Sequence, residues 1–242
     1  VEVAEWLQSA LSDCIVTDEA RDYLMGRGAT DRIIEEWGIK VWDPPLTPCP
    51  DPRLHGHYGE YFERFSEKIL YPLLSPKGRF LGFDSRHIDL KDDVRYLLQE
   101  SRWNPVWIGM PSAMAKIWRG CDVIVVEGRF DVFAMLQLVA SRGIDKAVLG
   151  SGPAHLSWKQ VEFLQRFCSL AQVEHQNTKS PRVFMAYDND PTGKKGTGDA
   201  CKHLGIRKVE CTKIVYGVTG DDPGGIWDQG GVEHLDNTFP QF

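Results

Sequence analysis

Apolar and polar positions along this 242-residue chain change their rhythm near residue 120. Upstream, helical spacing predicts helices over Ala4–Leu11, Asp18–Arg27 and Thr30–Trp37, with Thr30 as an N-cap and Gly28 closing the second helix. Residues 43–60 are Pro-rich and predict a long loop. Alternating apolar residues then predict a hairpin of strands Lys68–Leu74 and Arg79–Ile88, reversed at Ser75-Pro76-Lys77-Gly78. Residues 91–120 are mixed, with a short helix near Ser112–Trp118.

From Cys121 onward, short apolar runs alternate with helical segments. Strands are expected at 122–126, 146–149, 182–187 and 211–216, and helices at 131–141, 157–171 and 197–204, with 173–181 a polar loop. Ser157 and Gln160 have capping-box spacing. The alternation predicts a parallel sheet with right-handed crossovers. The fold class is therefore α/β: a mixed α+β part over 1–120, then a parallel-sheet α/β part over 121–242.

Composition leaves this picture intact. Hydrophobic residues make up 42% and charged residues 26%, ordinary values for a globular protein. No stretch approaches the roughly 18 apolar residues that span a bilayer, and the N-terminus lacks the basic and apolar regions of a signal peptide. No membrane association and a cytoplasmic location are expected. The six cysteines form no CxxC pair and are expected to be reduced, mostly buried thiols. Cys49 with His55 and His57 lacks a second cysteine, so no zinc is expected.

The formal net charge of −6 is unevenly spread. Residues 64–119 carry 10 Lys+Arg against 6 Asp+Glu, leaving room for a locally basic, nucleic-acid-binding face.

The candidate chemistry lies at the ends of two short apolar runs. Glu127 follows Val123–Val126, and Asp188 and Asp190 follow Val183–Tyr187. Polar residues at the carboxyl ends of neighbouring parallel strands converge on one crevice. Gly128 permits a sharp turn that brings Asp131 in beside Glu127. Asp188 and Asp190, two residues apart on extended backbone, point the same way. Clustered carboxylates repel unless a cation neutralises them, and oxygen donors without His or Cys favour Mg²⁺ or Mn²⁺. Two such ions, bridged by Asp188, would serve phosphoryl transfer. Taken singly, EGRFD reads equally well as a capped helix start and YDNDPTG as an Asp-rich turn. A third acidic element, Gly220-Asp221-Asp222-Pro223, reads as a loop or a further member of the site, and Asp228 is weaker.

EGRFD and YDND, separated by a strand–helix pair, resemble the TOPRIM fold of primases, topoisomerases, recombination mediators and some nucleases. ARDYLMGRGATDRIIEEWGIKVW (20–42), RFSEKILYPLLSPKGRFLGFDSRHI (64–88), VRYLLQES (94–101) and VLGSGPAHLS (148–157) are similar, in order, to segments of the RNA-polymerase domain of bacterial DnaG-type primases. The second part of the chain is then TOPRIM-like. The resemblance implies metal ligands at Glu127, Asp188 and Asp190, with Asp131 and Asp222 as secondary members. It also implies template or nucleotide contacts at Arg27, Arg86, Arg95 and Tyr96; Lys194 and Lys195 lie beside the acids and suit phosphate. The chain departs from the family at Asp84-Ser85, where the family has a glycine pair. It has Arg95 for a lysine, Val106-Trp107 where a basic residue is usual, and Asp222-Pro223-Gly224 for a doubly acidic motif.

The implied activity is primer synthesis from NTPs on single-stranded DNA. A replicative helicase or a separate template-recognition module is a further expected partner. Two alternatives stay open: a metal-dependent TOPRIM nuclease, and a non-catalytic nucleic-acid-binding replisome module.

Overall fold

The computed structural model of the chain describes residues 2–42, 65, 67–88, 106–152, 154–174, 180–217 and 221–239. Two compact units emerge. The first comprises Val1–Gly26, Thr30–Leu74 and Gly78–Arg102, and the second Arg27–Ala29, Ser75–Lys77 and Trp103–Phe242.

In the first unit, helices α1 (Glu2–Asp13), α2 (Asp18–Gly26) and α3 (Asp31–Glu36) precede a small antiparallel sheet of β1 (Lys40–Val41), β2 (Ile69–Leu74) and β3 (Phe80–Arg86). Thr30 caps α3 as expected, its side chain accepting from the Ile33 N–H. The two-residue β1 is too short to leave a periodic signature. The hairpin has the expected reversal, with Gly78 at φ 75°, a conformation that suits a residue without Cβ. Phe65, Leu70, Phe83 and Trp42 are buried together beneath α1 residues Ala10 and Leu11.

The second unit contains α4 (Met110–Trp118), β4 (Val123–Val126), α5 (Arg129–Ser141), β5 (Ala147–Gly150), α6 (Trp158–Glu174), β6 (Val183–Met185), α7 (Pro191–Ile206), β7 (Cys211–Lys213) and α8 (Pro223–Thr238). Its four strands run parallel in the order β5-β4-β6-β7. Every residue of β4, β5 and β6 is buried, as expected of a parallel sheet covered on both faces. The chain steps from β4 outward to β5, then back past β4 to β6. The crevice between the carboxyl ends of β4 and β6 is thus a topological switch point, where open α/β sheets present their ligand sites.

Several sequence expectations are corrected. Helix α4, placed by sequence before a boundary near residue 120, lies in the second unit: Trp107, Met110 and Ile117 share its apolar core, and Ile108 bridges to Gly150. Strands β6 and β7 stop at Met185 and Lys213, short of Tyr187 and Tyr216. Helix α7 begins six residues earlier than expected, at Pro191, and α8 was not expected at all. Both helices are glycine-rich, which hides them from propensity. Both announce themselves through Asp-Pro: Asp190 and Asp222 are N-caps that accept from Gly193 N–H and Gly225 N–H, each followed by Pro at the first helical position. The expectation of reduced thiols is also corrected. Cys201 of α7 and Cys211 of β7 form a disulfide with Cα atoms 5.3 Å apart, because the two elements pack side by side. Cys14 and Cys168 are buried outside any disulfide, and the Cys14 thiol donates to the Ala10 carbonyl at 3.3 Å. Cys49, His55 and His57 lie outside the described residues.

The glycines of α7 serve close packing. A Cβ on Gly196 would stand 2.0 Å from the Ala154 carbonyl oxygen, whereas one on Gly205 would meet nothing within 4 Å. Gly205→Ala is therefore expected to stabilise the protein by about 0.5–1 kcal/mol. Gly196→Ala, the same exchange in the same helix, is expected to destabilise it by roughly 1–3 kcal/mol through overpacking. Thermal melts of the two variants check the opposite signs.

Candidate metal centre

Three segments bring carboxylates to the carboxyl edge of the parallel sheet. Glu127 follows β4 directly. Asp188 lies three residues beyond β6, and its backbone N–H donates to Glu127 Oε1 at 3.1 Å. The adjoining backbone is tied across the crevice, since Ala186 N–H donates to the Val125 carbonyl at 2.8 Å. Glu127 and Asp188 are both half-buried.

Asp131, Asp190 and Asp222 reach the same crevice from helix N-termini. Asp131 is buried at the third position of α5. Its Oδ2 accepts from Gly128 N–H at 2.6 Å, and its Oδ1 accepts from Gly224 N–H at 3.0 Å. Both oxygens are thereby committed to joining the starts of α5 and α8. Asp190 Oδ1 accepts from Gly193 N–H at 2.6 Å, and Asp222 Oδ1 from Gly225 N–H at 2.5 Å. The other oxygen of each of these two caps has no hydrogen bond among the described residues. Three helix N-termini thus face the carboxylates, and their partial positive charge offsets part of the repulsion.

That offset is incomplete. Burial first, and then repulsion from Asp131, Asp190 and Asp222, push the Glu127 carboxyl up to about 7, although the Asp188 N–H pulls the other way. Burial, with Glu127, Asp222 and Asp190 adding repulsion, raises Asp188 to about 7 as well. Asp131 is raised too, by burial and by Asp222 and Asp188. Asp188 Oδ1 is buried without a hydrogen-bond partner, an arrangement that costs stability unless something charged or donating meets it.

No three His, Cys, Asp or Glu side chains among the described residues close into a metal-binding cage. The acids line a crevice instead of gripping one point. The donor set still fits a hard divalent cation: all ligands are oxygen, the orphaned Asp188 Oδ1 lies beside Glu127, and Asp190 and Asp222 each keep a spare oxygen.

The glycine at position 193 permits this assembly. A Cβ there would stand 2.2 Å from the Asp188 carbonyl oxygen and 2.9 Å from Glu127 Oε1. Sequence reasoning passed over Gly193, and also Asn189. The Asn189 N–H donates to the Asp221 carbonyl at 2.8 Å and its Nδ2 to the Tyr216 carbonyl at 2.7 Å, which ties the Asp188–Asp190 loop to the segment that follows β7. Asp-Pro at both helix starts was the signal available.

The expected basic contacts divide. Lys194 and Lys195 are exposed in the first turn of α7. Arg27 forms an ion pair with Asp228 and lies over the Phe130 ring, 4.6 Å from its centroid, so it is engaged within the second unit. Arg86 ends β3 in the first unit, half-buried and in register with Ile69. Arg95 and Tyr96 lie outside the described residues.

Comparisons with known proteins agree with this arrangement. Residues 124–224 match the family model described as Toprim-like. The chain is 24% identical over 248 residues to the DNA primase of Pseudomonas aeruginosa, covering 92% of this chain and 34% of that protein. It thus spans about a third of the length of the curated relatives it matches. Among solved structures, the RNA polymerase domain of Mycobacterium tuberculosis primase DnaG superposes with a TM-score of 0.69 at 19% identity, covering 100% of this chain and 84% of that one. A DnaG primase catalytic domain bound to single-stranded DNA gives 0.68 at 16% identity, covering 98% and 79%. At these identities the structural likeness is one of fold. Among the described residues no helix is long and apolar enough to cross a membrane.

A pH dependence follows. Glu127 and Asp188 sit near 7 when folded and near 4 when unfolded. Raised carboxyls contribute stability that is full below about pH 4 and lost as pH rises through about 7. In chelator-treated protein the melting temperature is expected to fall between about pH 5 and 8 through this contribution. Added Mg²⁺ or Mn²⁺ is expected to raise it more at pH 8 than at pH 5, and Asp188→Asn to shrink both effects. Calorimetric melts across pH check this.

Proposed function

We propose that this chain, a Toprim-like domain within a fold shared with primase RNA-polymerase domains, is the catalytic core of a DnaG-type primase. It joins NTPs into a short RNA primer on a single-stranded DNA template. The observation that carries this reading is the pairing of Glu127 with Asp188 at a switch point, with the unsatisfied Asp188 Oδ1 beside it.

Glu127, Asp188 and Asp190 would hold Mg²⁺ or Mn²⁺, with Asp222 contributing from α8. Bound there, two such ions would lower the pKa of the attacking 3′-hydroxyl and neutralise the departing pyrophosphate. The chain's own residues orient the reactants. Asp131 is a positioning residue: it fixes the starts of α5 and α8 and therefore the approach of Asp222. Gly193 lets α7 begin against the Asp188 backbone, which sets Asp190 at the crevice and Lys194 and Lys195 just beyond it. Those lysines offer charge-assisted hydrogen bonds to the triphosphate. Arg86, and Arg95 and Tyr96 outside the described residues, are the proposed template contacts. Arg27 holds its Asp228 partner and acts on α8 instead.

Polymerisation balances simply. The 3′-oxygen forms a bond to the α-phosphorus as the α-phosphorus–oxygen bond to pyrophosphate breaks, and the hydroxyl proton passes to bulk water. At pH values well below 7 the raised carboxyls are protonated, so activity is expected to rise with pH up to about 7–8.

Incubation with single-stranded DNA, labelled NTPs and Mg²⁺ or Mn²⁺ tests the proposal. Labelled oligoribonucleotides are expected from the natural chain, reduced on the order of 10²-fold or more in Asp188→Ala/Asp190→Ala. Cleavage of the DNA without synthesis would replace the primase by a nuclease. Binding unchanged in the variant, with neither reaction, would leave a non-catalytic nucleic-acid-binding module.

A further inference from the structure

Residues 191–213 carry six Lys+Arg against two Asp+Glu, in a chain whose net charge is −6. Four of these cations converge on Gly198. On α7, Lys194 and Lys195 precede it by four and three residues and Lys202 follows by four, spacings that share one helix face. Lys213, on the edge strand β7, brings its Nζ to 3.7 Å from where a Cβ on Gly198 would stand. All four lysines are exposed, and none makes an ion pair or hydrogen bond among the described residues. The disulfide between Cys201 and Cys211 joins the two elements beside Lys202 and Lys213, so the patch is held as a unit.

The four lysines outnumber the one acid among them, Asp199, which lies four residues after Lys195 and three before Lys202, and the net positive charge favours a polyanionic partner. The row starts one turn from Asp190 and leads away from the crevice. Lys194 and Lys202 are eight residues apart, about 12 Å along the helix. That length matches roughly three to four base pairs of duplex. Charges held at fixed spacing on one helix face suit a backbone whose phosphates are themselves held at regular spacing, as in a duplex. We propose that the far end of this row, Lys202 with Lys213, binds the phosphate backbone of the RNA–DNA duplex that leaves the site, while Lys194 and Lys195 at its near end face the triphosphate. This assignment rests on the primase reading.

Binding, measured separately from synthesis, distinguishes the two. Fluorescence anisotropy with a short RNA–DNA hybrid at about 50–200 mM NaCl gives the slope of log K against log salt. Removal of two phosphate contacts in Lys202→Gln/Lys213→Gln is expected to flatten that slope by about 1.8 and to weaken binding severalfold. Lys202→Arg/Lys213→Arg, which keeps the charge, is expected to retain the natural slope. An unchanged slope in the glutamine variant overturns the assignment. So does a natural chain that does not bind the hybrid, or a loss confined to single-stranded DNA. Primer synthesis by the same natural preparation reports on the primase reading, so its failure is seen apart from any change in slope.

Discussion

The repulsion among partly buried carboxylates at one sheet edge is the constraint around which the second unit is arranged. Glu127 and Asp188 lie next to each other because β4 and β6 are neighbouring parallel strands, and half-buried, they are screened by water less than surface charges are. The fold answers with backbone donors. The Asp188 N–H meets Glu127, and the starts of α5, α7 and α8 point inward with Asp131, Asp190 and Asp222 in their first turns or caps. Even so, Glu127 and Asp188 remain near 7. A site that stays under electrostatic tension after so much local compensation is suited to a charged ligand that completes it.

Glycine makes that arrangement sterically possible. Helix α7 must start hard against the Asp188 backbone and then pass the Ala154 carbonyl, and any side chain at 193 or 196 would collide with these oxygens. Intrinsic helicity is sacrificed along α7 so that its N-terminus can reach the acids. The cost is offset by caps, by proline at the first turn, and by the buried contacts of Ala200 and Leu204 with the main core. The same residues that weaken α7 as an isolated helix therefore define the geometry of the crevice.

This explains what the sequence disclosed and what it concealed. Val123–Val126 and Val183–Met185 were legible because β-branched and aromatic runs bounded by turn residues have few other readings. The Ser157–Gln160 capping box was equally plain, and the structure contains both of its hydrogen bonds. The acidic residues at the strand ends, and the primase-type fold implied by the ordered motifs, were legible too. Concealed were the start of α7 and the whole of α8, since glycine-rich helices mimic loops unless Asp-Pro is read as cap and first turn. The hydrogen bonds of Asp131 were concealed as well. Its sequence position suggests a ligand, whereas its partners, Gly128 and Gly224, lie on two helix starts that only the tertiary fold brings together. The Cys201–Cys211 pairing depended on the packing of α7 against β7 in the same way.

The central claim is that Glu127 and Asp188 are held partly protonated until a divalent cation replaces their protons. Isothermal titration with Mn²⁺ at about pH 7, repeated in two buffers of different ionisation enthalpy, measures that exchange directly. With both groups near 7, binding is expected to release about one proton in total, because ligands must be deprotonated to bind metal, and the release is expected to fall in Asp188→Asn. Binding with no proton release, or no binding at all, would contradict the account.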